Sequence, residues 1–363
     1  MPSTLLDTPR DALLIVASFL APCVAPLVRC CHAMHARFSA DALFFLASVA
    51  RLQSTKRGRN RLAPVTAALL ARCPDLARAL PRTVGERSDL FDVATTHLAC
   101  LRGRLVTVRD ARTGAVEAEL RAPPFCFYHG VAFSPDGAWL ACGALNRVDV
   151  FDCASWTLAR SCNSRKADAL WDLVLFTCDG GLLAASRATV AGWAAASSEA
   201  RMQLALGHAL HALAASPTSA VFASCHAAGR LFLWTAERGE LVRCFAPQGA
   251  RANDAAFGPD GALLFASFRD KRVRGFSVAS GECVLMYDAG TAVGALAVSR
   301  AGLLALACVK ANCVRVLRAA DASPVAEVHV DAPRELRFAG GARLFCSTGG
   351  RVGVVDVAAP LVR

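Results

Sequence analysis

Leu231-Phe232-Leu233-Trp234 is a short, apolar, β-favouring run that ends on a bulky aromatic residue, and the same design recurs along the chain. Taking the last residue as an anchor gives Arg109, Phe151, Trp193, Trp234, Phe276, Leu317 and Val355, whose subtraction leaves intervals of 42, 42, 41, 42, 41 and 38. A period of about 40 residues accommodates four short strands, and one such sheet has faces that it cannot bury by itself. Stacking around a closed ring solves that problem. The period therefore predicts a mainly β fold, a seven-bladed β-propeller.

The columns inside the repeat agree with this. Three residues before each anchor stand Val106, Val148, Val190, Leu231, Val273, Val314 and Val352, an unbroken apolar column that marks the third strand of each blade. Eleven before the anchor come Leu98, Leu140, Leu182, Ala223, Phe265, Leu306 and Leu344, and two residues later Cys100, Cys142, Ala184, Cys225, Ser267, Cys308 and Cys346. These two columns mark one face of the second strand. Ser134-Pro135-Asp136-Gly137 and Gly258-Pro259-Asp260-Gly261 are turns between first and second strands, since Pro fixes φ and Gly accepts a positive one.

A chain of 363 residues with 55% hydrophobic and 19% charged content builds a large core and excludes a disordered protein. Five of its 16 cysteines fall in the small-residue column beside Ala184 and Ser267, which reads as packing and not as a disulfide framework. No Cys-x-x-Cys pair or Cys/His cluster has zinc spacing, so neither a metal nor another cofactor is expected. The 40 Lys and Arg outweigh 29 Asp and Glu, and only Lys56, Lys166, Lys271 and Lys310 are lysines. That Arg bias weakens net charge as an argument for nucleic acid, and the aromatics read as core, so no nucleic-acid partner is expected.

Charge placement says more. Each expected turn between second and third strands contains or borders a cation: Arg102 with Arg104, Arg147, Arg187, Arg230, Arg269 with Lys271 and Arg272, Lys310, and Arg351. In a propeller those turns share one face, so the repeat predicts a basic ring suited to the carboxylates or phosphates of a bound protein segment. Solubilising surface is the competing reading of the same residues. His208 and His211 have no nucleophile motif nearby, and a structural turn role is expected of them. With cationic turns and no convergent carboxylates, no enzymatic activity is expected.

Residues 88–363 resemble WD repeats in period, turn chemistry and strand columns, although the family's hydrogen-bonding set is scattered. Gly207-His208 stands in one blade, Asp270 in another, Trp193 and Trp234 are anchors, and Asp110, Asp152 and Asp356 follow anchors. No blade holds the complete set.

Ahead of the repeats the apolar period lengthens to that of a helix. Leu13, Leu14, Val16, Ala17 and Leu20 form a stripe after Pro9 and Asp11; 27–38, 40–52 and 64–80 read as further helices, and 54–60 as a basic connector. Thr8-Pro9, Asp11, Leu13-Leu14, Phe19-Leu20 with Pro22, Leu27, and Cys30-Cys31 with Met34 resemble an F-box, departing from it at Thr8, Ala25 and Met34. The resemblance implies a helical domain over 1–53, a linker and connecting helix over 54–87, and a propeller over 88–363. It further implies a non-catalytic substrate receptor of a cullin-type ubiquitin ligase, in the cytoplasm or nucleus. Pro9, Leu13, Val16, Leu20, Leu27 and Met34 would meet a Skp-type adaptor that joins the cullin scaffold, and the basic turns would meet an acidic or phosphorylated substrate. A propeller scaffold unconnected with ubiquitin is the alternative. The uncharged run 12–28 also admits an exported or membrane-anchored reading, against which stand Asp7, Asp11, Pro22 and Pro26, so no membrane partner is expected. The outer strand that closes the ring comes from 360–363 or from 80–85, and the pattern does not choose.

Overall fold

The computed structural model describes residues 82–83, 90–164, 169–246, 248–348 and 351–357. These belong to one compact unit, Pro81–Val357. The helices expected within 1–80, the adaptor-facing Pro9, Leu13, Val16, Leu20, Leu27 and Met34, the run 12–28 and the candidate closing segment 360–363 lie outside the described residues.

Seven antiparallel sheets of four strands each make up the unit. Their innermost strands are Leu90–Val93, Gly130–Phe133, Leu173–Phe176, Leu210–Ala215, Ala252–Phe257, Val293–Val298 and Pro333–Ala339. Each packs against the innermost strand of the next blade, and the last packs against the first, so the ring is closed. Six blades take their strands consecutively from the chain. The seventh is completed by Arg82–Thr83, which runs antiparallel to Arg351–Asp356 with Arg82 opposite Val354 and Thr83 opposite Gly353. Of the two segments left open by the sequence, the earlier one therefore closes the ring, from within the stretch read as linker.

The anchors all lie in third strands, and the column three residues before them is at most 1% exposed in every blade. Burying each such side chain contributes about 1.5–3 kcal/mol. The cysteine column is buried too, at 0–6% exposure, and Cys142, Cys225, Cys308 and Cys346 in it are free thiols. Burial pushes the thiols of Cys142 and Cys225 upward and that of Cys346 up to about 12, so these cysteines pack as small apolar groups.

One expectation needs correction. In the first three blades and the seventh, the residue eleven before the anchor pairs with the anchor: Leu98 with Arg109, Leu140 with Phe151, Leu182 with Trp193 and Leu344 with Val355. In the fourth and fifth blades Trp234 pairs with Phe222 and Phe276 with Leu264, twelve before; in the sixth Leu317 pairs with Leu304. A one-residue slip turns the second-strand column onto the opposite face. The columns of the fourth and fifth blades therefore face away from their anchors. Both faces of a blade are covered by neighbouring blades, so either register buries an apolar side chain, and the slip leaves no trace in composition.

Gly143, at the end of the second blade's second strand, shows how closely adjacent sheets approach. A Cβ there would collide with the carbonyl oxygen of Trp171, whose ring is fully buried and meets Trp193 edge-on at 6.1 Å.

Candidate functional site

In the first six blades the turn between second and third strands lies at the same end as the connections between blades, and backbone hydrogen bonds tie turns and connections together. Tyr128 N–H donates to the Gly103 carbonyl, Asn146 to Ala169, Leu210 to Arg187, Arg269 to Arg251, Ala289 to Lys271 and Val330 to Asn312. These loops build one face of the ring.

The sequence-derived cations all stand at this end, but they do not all do the same thing. Arg102, Arg187, Arg269, Lys271, Arg272, Lys310 and Arg351 are exposed, and within the described residues their side chains make no hydrogen bond or ion pair. Arg230 is exposed and lies 2.7 Å from His208 Nε2. Arg104 is spent on the chain itself, donating to the carbonyls of Ala122 and Pro123 at 3.2 and 2.8 Å.

Arg147 is also engaged. It pairs at 3.1 Å with Asp149, which is 1% exposed. Asp149 also accepts from the Tyr128 hydroxyl at 2.9 Å and from Ser161 at 2.7 Å, so a buried carboxylate is fully satisfied by three donors. Burial, with this carboxylate adjacent, pushes the Tyr128 phenol above its usual range and keeps it a donor. Arg274 repeats the theme in the fifth blade. It is buried, pairs with Asp270 at 2.5 Å, and lies 4.6 Å from the Phe268 ring centre. The sequence reading missed this class. Its signal is a charge inside a strand otherwise apolar on both faces, as in Val148-Asp149-Val150 and Val273-Arg274-Gly275.

The fourth blade holds a polar chain that the motif search scattered. Trp234 Nε1 donates to Ser224 Oγ at 2.7 Å, Ser224 Oγ lies 2.8 Å from His226 Nε2, and His226 Nδ1 lies 3.3 Å from the His208 carbonyl. The histidine of this chain is thus His226, at the end of the second strand, while His208 turns outward to Arg230. Burial lowers the His226 pKa; burial with Arg251 and Arg269 lowers that of His211, keeping both rings neutral at pH 7.

The face also carries apolar groups. Phe125 is 97% exposed and Phe127 51%, both in the connection from first to second blade, while Leu145 and Leu170 are exposed in the second blade's turn and its following connection.

The central channel is polar in a different way. Arg337 Nε lies 3.2 Å from Asp92 Oδ1, while Asp92 Oδ2 accepts the Phe133 N–H, Asp254 Oδ2 the Leu296 N–H and Glu335 Oε2 the Phe91 N–H. The carboxylates thus tie neighbouring blades through backbone bonds, around one guanidinium. Burial raises all three carboxyl pKa values, against the pull of Arg337. Among the described residues, no group of three His, Cys, Asp or Glu is placed to hold a metal ion, and no helix is long and apolar enough to cross a membrane.

No family model matches the chain, and no curated protein matches it in sequence. Solved structures do match it. A chain of the mitotic checkpoint complex superposes with a TM-score of 0.65 at 18% identity, over 74% of this chain and 89% of that one. The Cps50 (Swd1) β-propeller domain of Myceliophteria thermophila superposes with a TM-score of 0.62 at 14% identity, over 74% of this chain and 96% of that domain. These likenesses show the fold, a seven-bladed β-propeller.

Proposed function

We propose that the chain is a non-catalytic interaction protein whose propeller grips an acidic or phosphorylated protein segment on its basic face. One observation carries this reading: Arg102, Arg187, Arg269, Lys271, Arg272, Lys310 and Arg351 stand exposed on a single face with no side-chain partner among the described residues. Maintaining unpaired guanidinium groups together suits bidentate recognition of carboxylate or phosphate. The WD-type propeller is a scaffold fold for protein interaction, and one of the structural neighbours belongs to a multiprotein complex.

The F-box resemblance supplies the finer reading, a substrate receptor of a Skp-cullin-F-box ubiquitin ligase in cytoplasm or nucleus. The helical segment 1–53 docks the Skp-type adaptor through Pro9, Leu13, Val16, Leu20, Leu27 and Met34, the segment 54–87 connects, and the propeller brings the substrate. Catalysis belongs to partner subunits.

The two halves are tested separately by affinity purification of the full chain. Wild type captures Skp-type adaptor and cullin, Leu13→Asp with Leu20→Asp loses both, and absence of the adaptor from wild type leaves the ubiquitin-independent scaffold reading. Reversal of Arg269 and Arg272 to Glu is expected to weaken capture of acidic clients by about tenfold or more, roughly 1.4 kcal/mol. Unchanged capture would remove the docking role from the basic face.

A further inference from the structure

We propose that the sector of the basic face formed by the first three blades recognises bulky apolar side chains within an acidic protein segment, the Phe125 to Phe127 loop receiving them and Arg102 and Arg187 flanking them. The inference rests on the docking role proposed for that face and narrows the chemistry of its partner.

The distribution of exposed apolar groups motivates it. Among the described residues, eight of the exposed large hydrophobics lie in strands: Val116, Leu158, Leu241, Val242, Val284, Met286 and Val325 in outer strands, and Trp139 at the start of a second strand. The remaining four, Phe125, Phe127, Leu145 and Leu170, all lie in loops of the basic face, and all belong to the same sector. Phe127 lies over the Gly103 turn, where a Cβ on Gly103 would meet its ring at 3.9 Å. The next residues join the patch together: Tyr128 N–H donates to the Gly103 carbonyl and His129 N–H to that of Gly143, while Leu145 and Leu170 face each other in an isolated bridge.

The backbone holds Phe125 outward. Its φ of 63° is left-handed, a conformation rarely adopted by a bulky residue, and the ring gains almost no burial in return. Aromatic side chains beside exposed arginines form the composition that dominates binding energy at protein interfaces. Among the described residues of the fourth to sixth blades, the same face presents Arg230, Arg269, Lys271, Arg272 and Lys310, with Asp288 and Asp331, and no exposed large apolar residue. The face is therefore divided into a sector with exposed apolar groups and one with charged groups alone. Charge complementarity across both fits one occupant, an extended segment with acidic residues along its length and bulky apolar residues near one end.

Three short fluorescein-labelled peptides test this against the full chain by fluorescence anisotropy: a glutamate-rich peptide with two leucines near one end, the same peptide with serine for leucine, and the leucine peptide with glutamine for every glutamate. The leucine peptide is expected to bind about tenfold more tightly than the serine peptide. Phe125→Ser with Phe127→Ser removes that preference while leaving the serine peptide's affinity and the Tm unchanged, and Leu145→Ser reduces it. Equal binding of leucine and serine peptides, or a preference that survives Phe125→Ser with Phe127→Ser, overturns the inference. Failure of the docking role itself looks different: the glutamine peptide then binds as well as the glutamate one. Phosphatidylserine vesicles captured through the two phenylalanines, with no peptide preference, would also overturn it by assigning the patch to lipid.

Discussion

The two ends of the ring use the same kind of hairpin turn and put charge to different use. At one end stand the arginines and lysines described above, most of them unpaired. At the other, carboxylates close the turns. Asp110 Oδ1 accepts the Arg112 and Thr113 N–H groups, Asp136 Oδ1 that of Ala138, Asp152 Oδ1 that of Ala154, Asp260 Oδ1 that of Ala262 and Asp321 Oδ1 that of Ser323. The Thr113 backbone and hydroxyl hold the Asp110 carboxyl below its usual range; Ser134 does the same for Asp136 and Ser323 for Asp321. A carboxylate that accepts local N–H groups replaces solvent with its own turn and is structural. A guanidinium cannot do this for an N–H, because it has no acceptor. The difference teaches which charges the fold consumes and which it leaves for a partner.

Substitutions can break that division or sharpen it. The largest effect is expected from Asp149→Ala, which strands Arg147 and the Tyr128 hydroxyl at the basic end. Removing one member of a buried pair costs about 3–5 kcal/mol, read from the denaturant midpoint; a cost below about 1 kcal/mol would put Asp149 among the ordinary turn residues. Asp136→Ala removes an acceptor at the other end and is expected to cost about 1 kcal/mol while leaving acidic-peptide affinity intact. Lost affinity without lost stability would dissolve the contrast between the ends.

A smaller and sharper test is pH. The positive charge of the face comes from Arg and Lys, which do not titrate near neutrality, while His211 and His226 are held neutral. Binding of an unphosphorylated acidic peptide is therefore expected to stay level between about pH 8 and pH 6.5. Stability behaves differently. Because the folded pKa of His226 is lowered, the unfolded chain takes up its proton first, and stability is lost as pH falls below 6.5 through the depressed folded value. His226→Gln should flatten that part of the urea-midpoint profile relative to wild type, and an unaltered slope would remove His226 from the account.

The architecture was legible because a blade repeats what it buries: the valine column before each anchor occupies one place in the third strand, and its periodicity survives in the sequence. The register was less legible. Trp234 meets Phe222 where the column counts toward Ala223, and a sheet covered on both sides records no preference between them. The basic turns were readable from position, but Arg104 and Arg147 were read as free cations, since their acceptors are a following loop and a strand carboxylate. Ser224 and His226 escaped the motif search because their link to Trp234 depends on the strand pairing. Phe125 and Phe127 were passed over with the other aromatics; periodicity assigns no face to a loop.

The pairing of Arg82–Thr83 with Arg351–Asp356 also bears on how the molecule is made. A ribosome emits the closing strand before the other strands of the ring and its mate after them, so the seam stays unstitched until the last blade has left the exit tunnel. The six earlier sheets each complete from consecutive residues and assemble in order of emergence. Only the final one waits, and its late fastening converts an open stack with two bare end faces into a belt with none.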